Sequence, residues 1–548
     1  MDSKKRIAIV GAGASGLPAI RHALLYGLEP VCFEITDGIG GLWRYKEETR
    51  TFKGVHLSSV MKTTVINSSK ELTAYSDFPP HPEAGNFMHN REMLKYFEEY
   101  AEHYELKKFI KFNHKVENIE RSDDYIKTGR WKVTYLNEKD EKYSEIFDGV
   151  LLATGHHSNP HFPKPYPGQS EFQGKILHSH DYTDHKGFED KNVVVVGTGN
   201  SGGDLAVELS RISKQVYLVS RKGAWILNRI SKNGYPFDAE FNRRLGNFIR
   251  YFIPFSVVAT IFEKKIQKNF NHEFYGLKPK HRISAAHPTI NDELPNRIAN
   301  RTIKVKPNIA KFKERNVYFE DLTDAEDVDV VIFATGYSFD FPMLENGELI
   351  PVTRNEVDLY LNMFSPNLSD FNTLAVLGLI QPIGSIMPIS EMQARLFFAQ
   401  FTGEVSLPSK ESMLMSIASS KSKVQKRYYN SPRHTIQVDY SDYMDELAGI
   451  IGCKPNVLKY LWTDFALGQK LLTGQVTSYT YRLDGPHPWE KARETILTTE
   501  FRMQAGMAPE GGSSALSRNL ALYMKADFPS FSSILIYVLI AVIFYYIL

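Results

Sequence analysis

A glycine-rich turn near the start of the chain has the residue types and spacing of a dinucleotide-binding site. The turn follows the apolar run 7–10, precedes a helical stretch, and consists of Gly11, Ala12, Gly13, Ala14, Ser15 and Gly16. Its glycines permit a tight turn, a close approach of backbone to pyrophosphate, and close packing of helix on strand. Glu34 follows 23 residues after Gly11 and can accept hydrogen bonds from a ribose hydroxyl pair. The first turn is therefore expected to bind FAD.

A second turn of the same kind follows the apolar run 193–196. It consists of Gly197, Thr198, Gly199, Asn200, Ser201 and Gly202, and the helical stretch continues through Gly203 and Asp204. At the place that Glu34 occupies after the first turn, this second module has Arg221. A guanidinium pairs with a 2′-phosphate, which a carboxylate would repel. The sequence therefore predicts that the two cofactors are FAD and NADPH.

Short apolar strands must position these turns. Besides the two runs before the glycines, 150–152 and 330–333 each lead into Ala-Thr-Gly. Strands that alternate with helical patterns predict an α/β chain with parallel sheets and two dinucleotide-binding modules.

Composition excludes several other classes of protein. The 548 residues contain 65 Lys and Arg against 63 Asp and Glu, so no global basic field indicates a nucleic acid partner. Two cysteines, Cys32 and Cys453, cannot form a disulfide framework or the local thiol pair of a disulfide reductase, and they favour a reducing compartment. We expect no metal site, because the local cluster His156, His157 and His161 has no helix to set ligand geometry.

Between the two modules the chain reads Phe172-Gln-Gly174-Lys-Ile-Leu-His178-Ser-His-Asp-Tyr182. This stretch resembles the identifying motif of flavin-containing monooxygenases, the class B flavoprotein monooxygenases that include the N-oxide-forming dimethylaniline monooxygenases. The order of the motifs also matches that family, and so do stretches such as Gly40-Gly41-Leu42-Trp43 and Asn291-Asp-Glu-Leu-Pro295. The resemblance extends over essentially the whole chain.

The resemblance implies an NADP domain inserted in an FAD domain. The expected parts are an FAD domain over 1–165 and 331–445, an NADP domain over 166–330 with an apolar insertion around 238–290, a C-terminal region over 446–527 and a transmembrane anchor over 528–548. By resemblance, FAD contacts Gly11 to Gly16, Glu34, Gly41, Leu42 and Trp43, with Asn67, Ser68 and Gln381 near the flavin ring. NADP contacts Ile66, Asn67, Gly197, Gly199, Asn200, Ser201, Gly202, Gly203, Asp204 and Arg221.

The function implied is an NADPH- and oxygen-dependent monooxygenase of xenobiotic metabolism. Reduced flavin and oxygen form a C4a-hydroperoxide, which oxygenates soft nucleophiles such as lipophilic amines and sulfides. Asn67 is the expected participating side chain, because its amide can donate a hydrogen bond to developing negative charge. Two alternatives remain open, namely Baeyer–Villiger oxygenation of ketones and release of hydrogen peroxide by an NADPH oxidase. The substrate and any homo-oligomer also remain open.

Two apolar segments raise the question of a membrane. Residues 248–262 are apolar and aromatic with basic flanks, which is typical either of helices packed on the second module or of a surface patch that dips into a bilayer. Residues 528–548 carry no charge and are long enough for a transmembrane helix. We therefore expect a single-pass C-terminal anchor in lipid, with the catalytic domain on the cytosolic side of the endoplasmic reticulum membrane.

Overall fold

The computed structural model describes residues 4–47, 51–231 and 234–509. They form two compact units. The first contains the described residues within Met1–Asn67, Met88–Arg229 and Glu263–Tyr440, and the second those within Ser68–Phe87, Ile230–Phe262 and Ser441–Leu548. The domain boundaries expected from the sequence remain a prediction.

Most strands of the first unit are short and belong to parallel sheets or small antiparallel sheets. Their bounds are β1 Arg6–Val10, β2 Glu29–Phe33, β3 Thr51–Phe52, β4 Val55–His56, β5 Ile110–Lys111, β6 Lys115–Arg121, β7 Trp131–Leu136, β8 Lys142–Phe147, β9 Gly149–Leu152, β10 Asn159–Pro160, β11 Lys175–His178, β12 Asn192–Val196, β13 Gln215–Val219, β14 Ile226–Leu227, β15 Thr289–Ile290, β16 Ile303–Lys306, β17 Ile309–Lys313, β18 Asn316–Phe319, β19 Asp324–Ala325, β20 Val330–Phe333, β21 Tyr337–Ser338, β22 Leu374–Val376, β23 Gln381–Ile383 and β24 Gln437–Asp439.

The helices alternate with these strands in the first unit and dominate the second. Their bounds are α1 Gly16–Leu25, α2 Lys70–Thr73, α3 Asn90–His103, α4 Tyr125–Thr128, α5 Asn200–Leu209, α6 Phe237–Phe241, α7 Arg244–Phe252, α8 Phe255–Asn269, α9 Leu294–Ala299, α10 Ile386–Phe401, α11 Lys410–Arg427, α12 Tyr440–Ile451, α13 Val457–Thr463, α14 Phe465–Thr473 and α15 Ala492–Ala505.

Two five-stranded sheets build the first unit and confirm the α/β class. The first sheet has the order β22-β9-β1-β2-β5 and the second the order β11-β20-β12-β13-β16. All pairings within both sheets are parallel. Parallel strands end at the same edge, so each sheet brings the turns that follow its strands together.

Both faces of the second sheet are covered, which explains its uninterrupted apolar strands. Val193 and Val195 of β12 pack in one core with Leu205 of α5, whereas Val194 and Val196 pack in another with strands β17 and β18. The alternation follows from the two-residue period of a strand.

A buried ion network holds the second unit together. Glu71 of α2 accepts hydrogen bonds from Arg502 Nε at 3.0 Å and from Tyr479 Oη at 2.9 Å. Asp77 accepts one from Arg482 at 2.6 Å. Both carboxylates are buried, and each pairs with an arginine more than 400 residues away in sequence. The unit thus joins residues 68–87 to the C-terminal region.

The fold-class prediction is wrong in one part, the transmembrane helix. Within the described ranges 4–47, 51–231 and 234–509, no helix is both long and apolar enough to span a bilayer. The buried helix α10 has 16 residues, about 24 Å against a hydrocarbon core of about 30 Å, and the longer α11 carries Lys and Arg. Residues 528–548 themselves lie outside the described residues. Lipid binding through such a helix is not supported.

The apolar segment 248–262 is helical, in α7 and the beginning of α8, with a break at Pro254. Ala259 is buried, while Tyr251 is 85% exposed. The segment therefore combines a buried side with exposed aromatic side chains.

Candidate dinucleotide sites

The first glycine turn connects β1 to α1 at the shared edge of the first sheet. Gly11 has φ +103° and its N–H donates to Phe33 O at 2.8 Å. A Cβ at Gly11 would lie 2.6 Å from Ala153 O, so only glycine fits there. By contrast, a Cβ at Gly13 would meet only Gly41, at 3.5 Å or more. The middle glycine thus leaves an open cradle of the kind that a pyrophosphate fills.

Glu34 stands where β2 ends and is fixed by the turn. Its Oε2 accepts the N–H of Ala12 at 2.8 Å, and its Oε1 accepts the N–H and hydroxyl of Thr36 at 2.9 and 2.7 Å. Oε2 accepts a single hydrogen bond here, so it has a second lone pair for a ribose hydroxyl. Burial of the neighbouring Cys32, together with the charge of Glu34, raises the pKa of that thiol.

The remaining residues expected at the first site lie on several segments. Gly41, Leu42 and Trp43 form a short 3-10 turn, and Gly40 N–H donates to Ala12 O at 3.0 Å. Gln381 begins β23. A Cβ at Gly378, three residues earlier, would lie 2.5 Å from Ser15 Oγ, so this segment passes beside the turn.

Asn67 carries an unsatisfied polar atom. Its Oδ1 is buried and has no hydrogen-bond partner among the described residues. Such an atom is costly unless a ligand or water pairs with it. Ile66 next to it is buried and donates its N–H to Met88 O at 3.0 Å. Ser68, which we expected near the flavin, belongs to the second unit, where its hydroxyl lies 2.8 Å from Thr73 Oγ1.

The second glycine turn repeats the geometry of the first on the second sheet. Gly197 has φ +119°, and a Cβ there would lie 2.5 Å from Ala334 O. Its N–H donates to Val219 O at 3.1 Å, so the turn lies beside the end of β13, two residues before Arg221. A Cβ at Gly199 would meet nothing within 4 Å, and α5 begins at Asn200 with its N–H groups facing that space.

A short strand that we did not predict supports this second turn. In β15, Thr289 Oγ1 donates to Thr198 O, and Ile290 N–H donates to Asn200 Oδ1 at 2.8 Å. Asn291 Nδ2 donates to Asp204 Oδ1 at 2.8 Å. Asn291 to Pro295 is one of the stretches by which the sequence resembles the family, but no local pattern in the sequence links it to a turn about 90 residues earlier.

Asp204 has a shifted pKa because it is buried. Burial raises its pKa to about 6, while Arg229 and the Asn291 amide act in the opposite direction. The charge of Arg229 and the Asn291 amide thus both favour the charged form of this carboxylate.

The identifying motif serves as internal structure in the first unit. His178 is fully buried, and its Nδ1 accepts the N–H of His180 at 3.1 Å. Burial lowers the pKa of His178 to about 4. Tyr182 is buried against Phe188, and burial raises the pKa of its hydroxyl. Neutral, buried side chains of this kind position backbone rather than transfer protons.

Two glycine turns on two parallel sheets, one followed by an acid and one by a base, define an α/β oxidoreductase with two dinucleotide sites. The chain belongs to the flavin-containing monooxygenases, since the model of the flavin-binding monooxygenase-like family matches residues 4–546. Its cofactors are FAD and NADPH.

Relatives support this family assignment, and solved structures share the fold. The chain is 47% identical to human flavin-containing monooxygenase 5 over 503 residues, 92% of this chain and 93% of the relative. It is 42% identical to human flavin-containing monooxygenase 2 over 501 residues, 91% and 92% of the two chains. A solved S-allyl-L-cysteine S-oxygenase from Allium sativum has a TM-score of 0.62 at 22% identity and covers 90% of this chain and 99% of its own. Cyclohexanone monooxygenase from Rhodococcus sp. Phi1 bound to NADP+ has a TM-score of 0.58 at 17% identity, with 82% and 98% covered.

Proposed function

We propose that this flavin-dependent monooxygenase oxygenates small lipophilic amines and sulfides, with FAD at the first glycine turn and NADPH at the second. The observation that carries the proposal is the contrast between two turns of the same geometry. Glu34, held by Ala12 and Thr36, suits a ribose with free hydroxyls. Arg221, beside the other turn, suits a ribose that carries a phosphate.

When bound, the flavin would supply the oxygenating chemistry. The protein's own contribution is to bind, orient and shield. Asn67 offers an amide oxygen that has no hydrogen-bond partner within the described residues, which fits a cofactor N–H. Its Nδ2 would be the donor to an oxygen that gains negative charge. The N-terminal N–H groups of helices α1 and α5 would hold the two pyrophosphates.

Product analysis tests this function. Purified enzyme with NADPH and oxygen is offered a tertiary amine, a thioether and a cyclic ketone, and NADPH loss is compared with product formed. We expect an N-oxide and an S-oxide in near-equal amount to the NADPH consumed. An ester from the ketone alone would favour the Baeyer–Villiger alternative, and hydrogen peroxide with every compound would favour the oxidase.

The substrate class explains why a location near lipid would be useful, because lipophilic amines and sulfides partition into bilayers. The endoplasmic reticulum location rests on the family resemblance and stays a prediction. Fractionation of cells that express the full chain, with an antibody to the protein, measures it directly.

A further inference from the structure

The loop that follows α11 packs beside the end of β13, next to the second glycine turn. Tyr429 N–H donates to Ala285 O at 3.2 Å, and Arg427 Nε donates to Ser284 O at 3.3 Å. Lys222 places its ammonium 3.9 Å from the centre of the Tyr429 ring. The loop is thus held against the residue that directly follows Arg221.

Arg433, at the other end of this loop, reaches the same edge of the second sheet. A Cβ on Gly336 would lie 3.5 Å from Arg433 Cδ, so the arginine's methylene groups cover this glycine. Gly336 follows β20, which pairs with β12, the strand that leads into Gly197. Because the strands are parallel, Arg433 lies at the edge where a bound dinucleotide would run.

Three cations therefore converge there. Burial lowers the pKa of Lys222, and the charges of Arg221 and Arg433 add to this effect. In the part of the chain that the structure describes, no carboxylate lies within ion-pair distance of Arg221, Lys222 or Arg433. Nearby, Arg229 and Arg427 pair with Asp292 and Asp439 at 2.7 and 2.5 Å. Cations that lie close together without a counter-charge repel one another, and a bound anion relieves this repulsion.

We propose that Arg433 is a third cation of the 2′-phosphate site, beside Arg221 and Lys222, and helps to select NADPH over NADH. The inference rests on the proposed assignment of the second glycine turn to NADPH. A guanidinium can form two hydrogen bonds to one phosphate, so Arg433, from a loop more than 200 residues after Arg221, adds directional bonds to those that Arg221 can form.

The test measures binding to the FAD-loaded enzyme by calorimetry with two probes, 2′,5′-ADP and 5′-AMP. Arg433→Ala should weaken the binding of 2′,5′-ADP by about 10-fold or more, because one charge-assisted hydrogen bond is lost. The affinity for 5′-AMP should not change. Arg433→Lys should recover part of the loss. Lys278→Ala is the matched control, since this exposed cation is already paired with Glu273 at 2.9 Å, and it should change neither affinity.

Retained FAD absorbance in each variant shows that the fold is intact, and Arg221→Ala separates this inference from the proposed function. If Arg221→Ala weakens the binding of 2′,5′-ADP alone while Arg433→Ala changes the affinity for neither probe, the proposed role of Arg433 is wrong and the NADPH site stands. If Arg433→Ala weakens both probes equally, its phosphate role is also wrong. If Arg221→Ala leaves 2′,5′-ADP unaffected, the assignment of the phosphate site itself fails.

Discussion

Replacement of Asn291 by alanine tests whether β15 and the residue after it position the second glycine turn, the proposed NADPH site. The Asn291 side chain is buried, and its Nδ2 donates to Asp204 Oδ1 at 2.8 Å. Its Oδ1 accepts the N–H groups of Glu293 and Leu294 at 3.0 and 2.7 Å. Alanine removes all three bonds and leaves Asp204, in the middle of α5, without this donor.

The expected effect follows from the bond to the carboxylate. A hydrogen bond to a charged group contributes about 1.5–3 kcal/mol, and each 1.4 kcal/mol changes an affinity about tenfold. If the turn shifts when Asp204 loses its donor, NADP+ should bind about 10- to 100-fold more weakly. FAD content should not change, because Glu34 and the first turn belong to the other sheet.

Calorimetric titration with NADP+ and the flavin absorbance of the purified variant measure both quantities. Asn271→Ala is the matched control, because Asn271 Oδ1 also accepts an N–H two residues on, from Glu273 at 3.0 Å. Within the described residues the Asn271 side chain makes no hydrogen bond to the glycine turn, so this variant should bind NADP+ normally. Normal NADP+ affinity in Asn291→Ala would refute the positioning role.

Three further predictions concern the flavin cradle, the buried ions and the histidines. Gly13→Val should fold but purify without flavin absorbance, because the open cradle becomes filled; normal FAD content would show that the first site is assigned wrongly. Arg502→Met leaves the buried Glu71 carboxylate without its ion-pair partner and should lower the free energy of unfolding, measured in urea, by about 3–5 kcal/mol. Arg493→Met, at a half-exposed pair with Asp464, should lower the free energy of unfolding by at most about 1 kcal/mol. Equal losses would contradict that reasoning. Burial lowers the pKa of His157, His178, His272 and His434 to about 4. These histidines take up protons on unfolding below pH 6.5, so stability should fall from pH 6.5 towards 4 by about 1.4 kcal/mol per pH unit for each; a melting temperature that is constant from pH 7 to 5 would argue against their burial.

The strands and turns that follow local rules could be predicted from the sequence. The valine run of β12 leads into Gly197, and Glu34 and Arg221 follow their turns at nearly equal spacing. Each of the two sites could be predicted because it is built from only one strand, one turn and one helix. These are neighbours in sequence, so their physical signals lie in one short window.

The parts that join distant segments could not be predicted. The two-residue strands β14 and β15 pair across about 60 residues and carry no recognisable period. Arg433 has the same local signature as any exposed arginine, and only the folded loop brings it over Gly336. The pairing of Glu71 with Arg502 likewise joins residues 431 positions apart, and no local pattern in the sequence marks either residue as buried.

Stopped-flow absorbance tests the central claim, that both glycine turns serve one oxygenation reaction, most directly. FAD-loaded enzyme is reduced with NADPH and mixed with oxygen, once with NADP+ retained and once after its removal. We expect a long-lived flavin–oxygen adduct with NADP+ bound, its rapid decay to peroxide without NADP+, and its decay on addition of a thioether with formation of the sulfoxide. An adduct lifetime that is equal in the two cases, with peroxide as the only product, would contradict the account.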